Sequence, residues 1–148
     1  MILYAESSAV LSWLFGEQGG AGVREILARA ELVLASELTV LECHRVVLRA
    51  VHSGRMAEGV AGDLRARLSQ AALHWVVLAI DAEVLERARR PFPVEPIRTL
   101  DAIHLATALT ARSAVPQVAL LSLDERVRRS GEELGFELLP GSESRSSR

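Results

Sequence analysis

The chain has 148 residues, 49% of them hydrophobic and 24% charged, with a formal net charge of −2. These values describe a globular chain with enough apolar material for a core, and they exclude a disordered chain and a protein that grips nucleic acid through a global basic excess; such binding has to be local. All 17 side chains counted as Lys or Arg are arginine, which excludes Schiff-base chemistry, lysine general bases and a P-loop lysine.

A lone cysteine, Cys43, leaves no internal disulfide and fits a reducing, cytoplasmic setting. The N-terminus lacks a basic region, and Glu6 interrupts its apolar run, so a signal peptide is not expected. No apolar run reaches membrane-spanning length.

Ile2 to Ala5 reads as a short buried parallel strand ending at the acid Glu6. Ser7 or Ser8 is placed to cap a helix through Val10, Leu11, Trp13, Leu14 and Phe15, which Gly16 stops. Gln18 to Gly22 reads as a connector, because its glycines lack the spacing of a phosphate loop or a dinucleotide fingerprint. A short helix over Val23 to Ala30 leads to a second strand, Leu32 to Ala35. Ser36 caps a long helix from Glu37 to about Ser53, closed by Gly54. Another helix covers Ala57 to Leu73, and Trp75 to Leu78 is a third strand. Asp81 caps a helix that runs to Arg89.

Pro91, Pro93 and Pro96 mark a rigid connection into a helix that Thr99 caps, with Asp101 in its first turn. Val118 to Leu121 is a fourth strand, Asp124 to Leu134 a helix with Gly135 as its C-cap, and Phe136 to Leu139 a last strand. The polar residues 141–148 are expected to form a disordered tail behind one domain over residues 1–140. Strands alternating with helices predict an α/β fold, a three-layer α/β/α sandwich around a mostly parallel sheet. In such sheets ligands bind beyond the carboxyl ends of the strands.

Glu6, Asp101 and Asp124 stand at strand ends or in helix first turns, and Glu42 lies inside the helix after the second strand. Each has a plain alternative. Glu6 and Asp101 suit helix N-termini, where a carboxylate gains roughly 0.3–1 kcal/mol. Asp124 suits an N-cap, and Glu42 suits a snorkelling acid paired with Arg45 or Arg49. Taken together they are harder to dismiss. Clustered carboxylates repel, so gathering them points to a cation. All-oxygen ligation suits Mg²⁺ or Mn²⁺ rather than zinc, and the four histidines show no zinc spacing. His104, one turn beyond Asp101, either lines the site or is a satisfied core histidine.

Four segments carry a family resemblance, in this order: Leu3 to Ala9 around Glu6, Ser36 to Glu42, Arg98-Thr99-Leu100-Asp101-Ala102-Ile103-His104-Leu105-Ala106, and Leu121-Ser122-Leu123-Asp124. Together they make the chain resemble the PIN-domain nucleases, and among them the toxins of VapBC toxin–antitoxin pairs. The Asp101 segment is the most specific. One departure stands out: the family's first acid is usually Asp, and here it is Glu6.

The resemblance implies an endoribonuclease dependent on Mg²⁺ or Mn²⁺, with Glu6, Glu42, Asp101 and Asp124 as catalytic acids. Glu6, Asp101 and Asp124 would hold one or two metal ions, and Glu42 would ligate directly or through water. Ser7 and Ser122 are candidates to hold a ligand water or a phosphate oxygen, or else to cap helices. Arg98, Arg126 and Arg128 are candidates for RNA phosphate contacts, or else solvated charge. The resemblance also implies a homodimer and a VapB-type antitoxin. Val10, Leu11, Trp13, Leu14 and Phe15, with Val40, Val47 and Val51, read as apolar surface beyond what one sheet face needs. A second reading is a PIN fold that cleaves weakly or not at all and binds RNA or a partner. A phosphoacceptor receiver would need a lysine, and there is none.

Overall fold

The computed structural model describes residues 1–141; the remainder of the polar tail lies outside the described residues. In chain order the elements are β1 (Ile2–Ala5), α1 (Ser7–Phe15), α2 (Gly20–Arg29), β2 (Leu32–Ser36), α3 (Glu37–His52), α4 (Glu58–Ala72) and β3 (Val76–Leu78). Then follow α5 (Ala82–Ala88), α6 (Thr99–Ala114), β4 (Ala119–Leu121), α7 (Glu125–Glu133) and β5 (Leu138–Leu139). The strands form one sheet in the order β3-β2-β1-β4-β5, and every pairing is parallel. Tyr4 lies opposite Leu34 on one side and Leu120 on the other, so β1 is the central strand.

Side-chain alternation along these strands separates two cores. Leu3, Ala5, Val33, Ala119 and Leu121 face α1 and α2, through Val10, Leu14 and Val23. Tyr4, Leu34 and Leu120 face the other way, against Leu105 and Ala108 of α6 and Val127 of α7. The three layers expected from the sequence are therefore present. Among the described residues no helix is long and apolar enough to cross a membrane.

A third cluster corrects the reading of the apolar stripes. Val47, Ala61 and Leu64 pack together with Phe15, Val51 and Met56 beside them. Helix α4 thus covers much of the apolar face of α3, while Val10 and Leu14 are buried against the sheet. Most of the supposed surplus is the protein's own core.

Several helix starts differ from expectation. The N-cap of α1 is Glu6, whose carboxylate accepts from the Ser8 backbone N–H, rather than Ser7 or Ser8. The N-cap of α6 is Arg98 rather than Thr99, and no side chain caps it. Helix α2 begins inside the expected connector, at Gly20, a position where only a residue without a Cβ fits against the Ser12 carbonyl. The residue closing α7 is Leu134, with Gly135 just beyond it at φ 83°, a conformation suited to glycine. Ser36 caps α3 as expected, in a reciprocal capping box with Thr39.

Candidate active site

β1 is flanked by β2 on one side and β4 on the other, so the chain reverses its direction of sheet growth here. The crevice beyond the carboxyl ends of β1 and β4 is the expected ligand position in a parallel sheet. Each candidate acid reaches it from a different element. Glu6 follows β1 directly, Asp124 follows β4 and caps α7, Asp101 sits in the first turn of α6, and Glu42 projects from α3.

Glu6 is 5% exposed and is held by hydroxyls. Ser122 Oγ donates to its Oε2 at 2.7 Å, the Ser8 backbone N–H donates to Oε1 at 3.1 Å, and Ser8 Oγ also donates to Oε2. Ser8 Oγ in turn accepts from the backbone N–H groups of Leu123 and Asp124 at 2.9 and 3.1 Å. Ser8 therefore pins the end of β4 to the start of α1. Sequence reasoning named Ser7 and Ser122 as site residues and missed Ser8, whose β4-end partners, Leu123 and Asp124, lie more than a hundred residues away. Asp124 Oδ1 accepts from the N–H groups of Arg126 and Val127, as an N-cap does.

Asp101, 7% exposed, and Asp124 share one cation. Arg98 Nε donates to Asp101 Oδ2 at 3.0 Å, and its terminal nitrogen lies 3.4 Å from Asp124 Oδ2. Arg98 is thus a bridge between two of the acids as well as an exposed arginine. Arg126 is exposed in the first turn of α7. Arg128 is a correction: it is buried, and it donates to the carbonyls of Ser122, Leu139 and Pro140 at 2.8–2.9 Å. It ties β4 to the chain end after β5 and is not available to RNA.

Glu42 also departs from the simple alternative, because neither Arg45 nor Arg49 is its partner. Ser7 Oγ donates to Glu42 Oε1 at 2.7 Å, and His104 Nε2 lies 2.6 Å from the same oxygen. Partial burial works against the carboxylate form. The hydrogen bonds from His104 and Ser7, with the nearby charge of Arg98, outweigh it and hold Glu42 below the usual carboxylate range. His104 itself is both things the sequence allowed. It is 1% exposed, its Nδ1 lies 2.8 Å from Tyr4 Oη, and its Nε2 faces the acids. Burial, helped by Glu42 and Glu6, pushes the Cys43 thiol up to about 12, so it is no nucleophile at neutral pH. Asp81 caps α5 through the Val84 N–H, as expected.

The four carboxylates, all oxygen donors, are linked in a chain by Ser8 between Glu6 and Asp124, Arg98 between Asp124 and Asp101, and His104 between Glu6 and Glu42. That donor chemistry fits a hard divalent cation such as Mg²⁺ or Mn²⁺. As arranged, the acids are engaged in pairs: Asp101 and Asp124 with Arg98, and Glu42 with His104. Among the described residues no group of three or more His, Cys, Asp or Glu side chains converges closely enough to hold a metal ion.

The chain matches the PIN domain family over residues 3–133. It is 31% identical to Ribonuclease VapC35 of Mycobacterium tuberculosis over 146 residues, covering 97% of this chain and 100% of that protein. It is likewise 31% identical to Ribonuclease VapC46 of the same organism over 137 residues, covering 93% and 95% of the two chains. A solved structure of the Mycobacterium tuberculosis toxin VapC20, described as cleaving the sarcin–ricin loop, superposes with a TM-score of 0.63. At 17% identity over 88% of this chain and 95% of that one, this second likeness concerns the fold.

Proposed function

The chain belongs to the PIN-domain family, in its VapC branch, and from that premise we propose that it is a Mg²⁺- or Mn²⁺-dependent endoribonuclease acting as a toxin. The observation that supports this most is the linking of Glu6, Glu42, Asp101 and Asp124, from four separate parts of the chain, through Ser8, Arg98 and His104, with Glu6 and Asp124 just beyond β1 and β4 on the side where a parallel sheet binds its ligand. Glu6, Asp101 and Asp124 are the proposed metal-holding residues, with Glu42 ligating directly or through water. A divalent ion bound there would supply a water of lowered pKa and neutralise charge on the scissile phosphate.

The chain's own groups do the positioning. Ser8 and Ser122 fix the Glu6 carboxylate, so its extra methylene relative to Asp does not leave it loose. Ser7 and Ser122 are buried, and their hydroxyls donate to Glu42 and Glu6, so both serve by holding the acids rather than by meeting a phosphate oxygen. Arg98, whose side chain is 60% exposed, and Arg126 would meet the RNA backbone.

The same reading extends to partners: a homodimer and a VapB-type antitoxin in the cytoplasm. The seat we assign to the antitoxin is a groove of about 440 Å³ between α1 and α3, with Leu11, Phe15, Val46, Ala50 and Met56 as its apolar lining, Glu17, Arg49 and Arg55 as its charged one, and Ser8 within its reach. An antitoxin arginine extended from there would meet the acids and displace the metal's charge.

Metal-dependent cleavage of mixed RNA, with calorimetric titration of Mn²⁺, tests the activity. Glu6→Gln is expected to weaken Mn²⁺ binding by about tenfold or more, and Glu6→Asp to retain or improve it, because the charge rather than the cap is what the cation needs. Equal affinity in wild type and Glu6→Gln would reduce Glu6 to a helix-terminus acid. Cleavage by Glu6→Asp but not by wild type would identify the natural chain as a binding module.

A further inference from the structure

The side chain of Tyr4 points away from the Leu3 and Ala5 core, into the layer against α6, and is wholly buried. Its hydroxyl meets His104 Nδ1 at 2.8 Å, with the two rings edge-to-face at 6.2 Å between centroids. His104 Nε2 then stands 2.6 Å from Glu42 Oε1, 2.9 Å from Ser7 Oγ and 3.9 Å from Glu6 Oε1. One imidazole edge is thereby wedged between two carboxylates.

We propose that His104, set by Tyr4, is a positioning residue that holds Glu42 in the site and keeps it apart from Glu6. Donor and acceptor counting supports this. A carboxylate oxygen only accepts, and the single Ser7 hydroxyl proton is directed at Glu42 Oε1. At 2.6 Å from that same oxygen, Nε2 carries a hydrogen, since two facing lone pairs would repel. With Nε2 as donor, a neutral ring offers Nδ1 as acceptor, and the Tyr4 O–H donates to it. Glu42 lies well inside α3, where an unpaired glutamate would extend toward solvent. Both of its hydrogen bonds fall on Oε1, which leaves Oε2 uncommitted. Supporting partners of this kind, one step behind a ligating carboxylate, commonly control metal affinity.

The inference rests on the proposed metal site, so its test has an arm that needs no metal. In ¹⁵N-histidine NMR of the metal-free protein, the His104 ring is expected to carry its proton on Nε2, protected from exchange. Glu42→Ala should abolish that protection. A ring protonated on Nδ1 alone, or protection unchanged by Glu42→Ala, overturns the inference. The positive result upholds it even if the wild type binds no Mn²⁺, which would overturn only the nuclease reading.

The second arm is a Mn²⁺ titration. His104→Asn, which keeps a group near Tyr4 but does not reach Glu42, is expected to lose about 10–100-fold in affinity. His104→Gln, which places an N–H where Nε2 was, should recover most of that loss. In a Glu42→Ala background, His104→Asn should add nothing. A His104→Asn loss that persists in that background, or that Gln fails to relieve, assigns His104 to packing alone. Thermal melts of each variant confirm that the folded protein is what is titrated.

Discussion

Asp101→Asn is expected to remove at least about a hundredfold of the metal-dependent RNA cleavage, the upper end of what loss of even an outer-shell metal partner costs. The same change should leave the fold almost untouched. Asp101 stands in the first turn of α6, where the charge contributes about 0.3–1 kcal/mol through the helix dipole. Its side-chain partner is the exposed Arg98, which keeps a second carboxylate, Asp124, when the Asp101 charge is lost. The helix behind it, with Ala102, Leu105, Ala106 and Ala108 buried, keeps its packing. Cleavage rate and melting temperature should therefore separate cleanly in one variant. Undiminished cleavage by folded Asp101→Asn would remove Asp101 from the site.

The largest stability effect of a one-carbon change is expected at Gly20. A Cβ there would stand 2.3 Å from the Ser12 carbonyl oxygen and 2.9 Å from its carbon, both backbone atoms with nowhere to go. The Ser12 oxygen is also committed, accepting from the backbone N–H of Glu17 at 3.0 Å. Gly20→Ala must therefore push α1 and α2 apart, at a cost near or above the roughly 3 kcal/mol upper end of ordinary overpacking. Gly22, two residues along the same helix, has nothing within 4 Å of its built Cβ. Gly22→Ala should stabilise by about 0.5–1 kcal/mol, because only the backbone entropy of the unfolded chain changes. Urea denaturation of the pair measures the difference. Two similar midpoints would mean that the helices do not approach as closely as they do here.

The contrast between these neighbouring glycines shows what the sequence could and could not display. Periodicity and turn residues revealed the alternation of strands and helices, and with it a sheet whose carboxyl ends carry Glu6 and Asp124. They did not reveal that Gln18-Gly19-Gly20-Ala21-Gly22 contains a helix start, because a close backbone approach leaves no mark except the glycine itself. The acids were legible since strand ends and helix first turns are local features. Their partners were not. Tyr4 and His104 are a hundred residues apart, and only the pairing of β1 against β4 and the packing of α6 beneath them brings them together. Arginine is usually solvated, and nothing local marks Arg128 as different; its burial goes with the three carbonyls, of Ser122, Leu139 and Pro140, that accept from it where β4 and β5 end. The apolar stripes were misjudged because α4, an unremarkable helix in sequence, supplies Ala61 and Leu64 to cover α3.

The central strand is also the first one synthesised. As the chain leaves the ribosome N-terminus first, β1 acquires β2 early, but its other neighbour, β4, ends only at Leu121. Until then Glu6 lacks its bond from Ser122, Ser8 has no β4 end to pin, and Arg98 has no Asp124 to bridge toward. A nascent or prematurely ended polypeptide can thus hold three of the four acids and still have no assembled crevice. The strand order thus makes assembly of the candidate site wait for the segment through Asp124, whatever has been made before it.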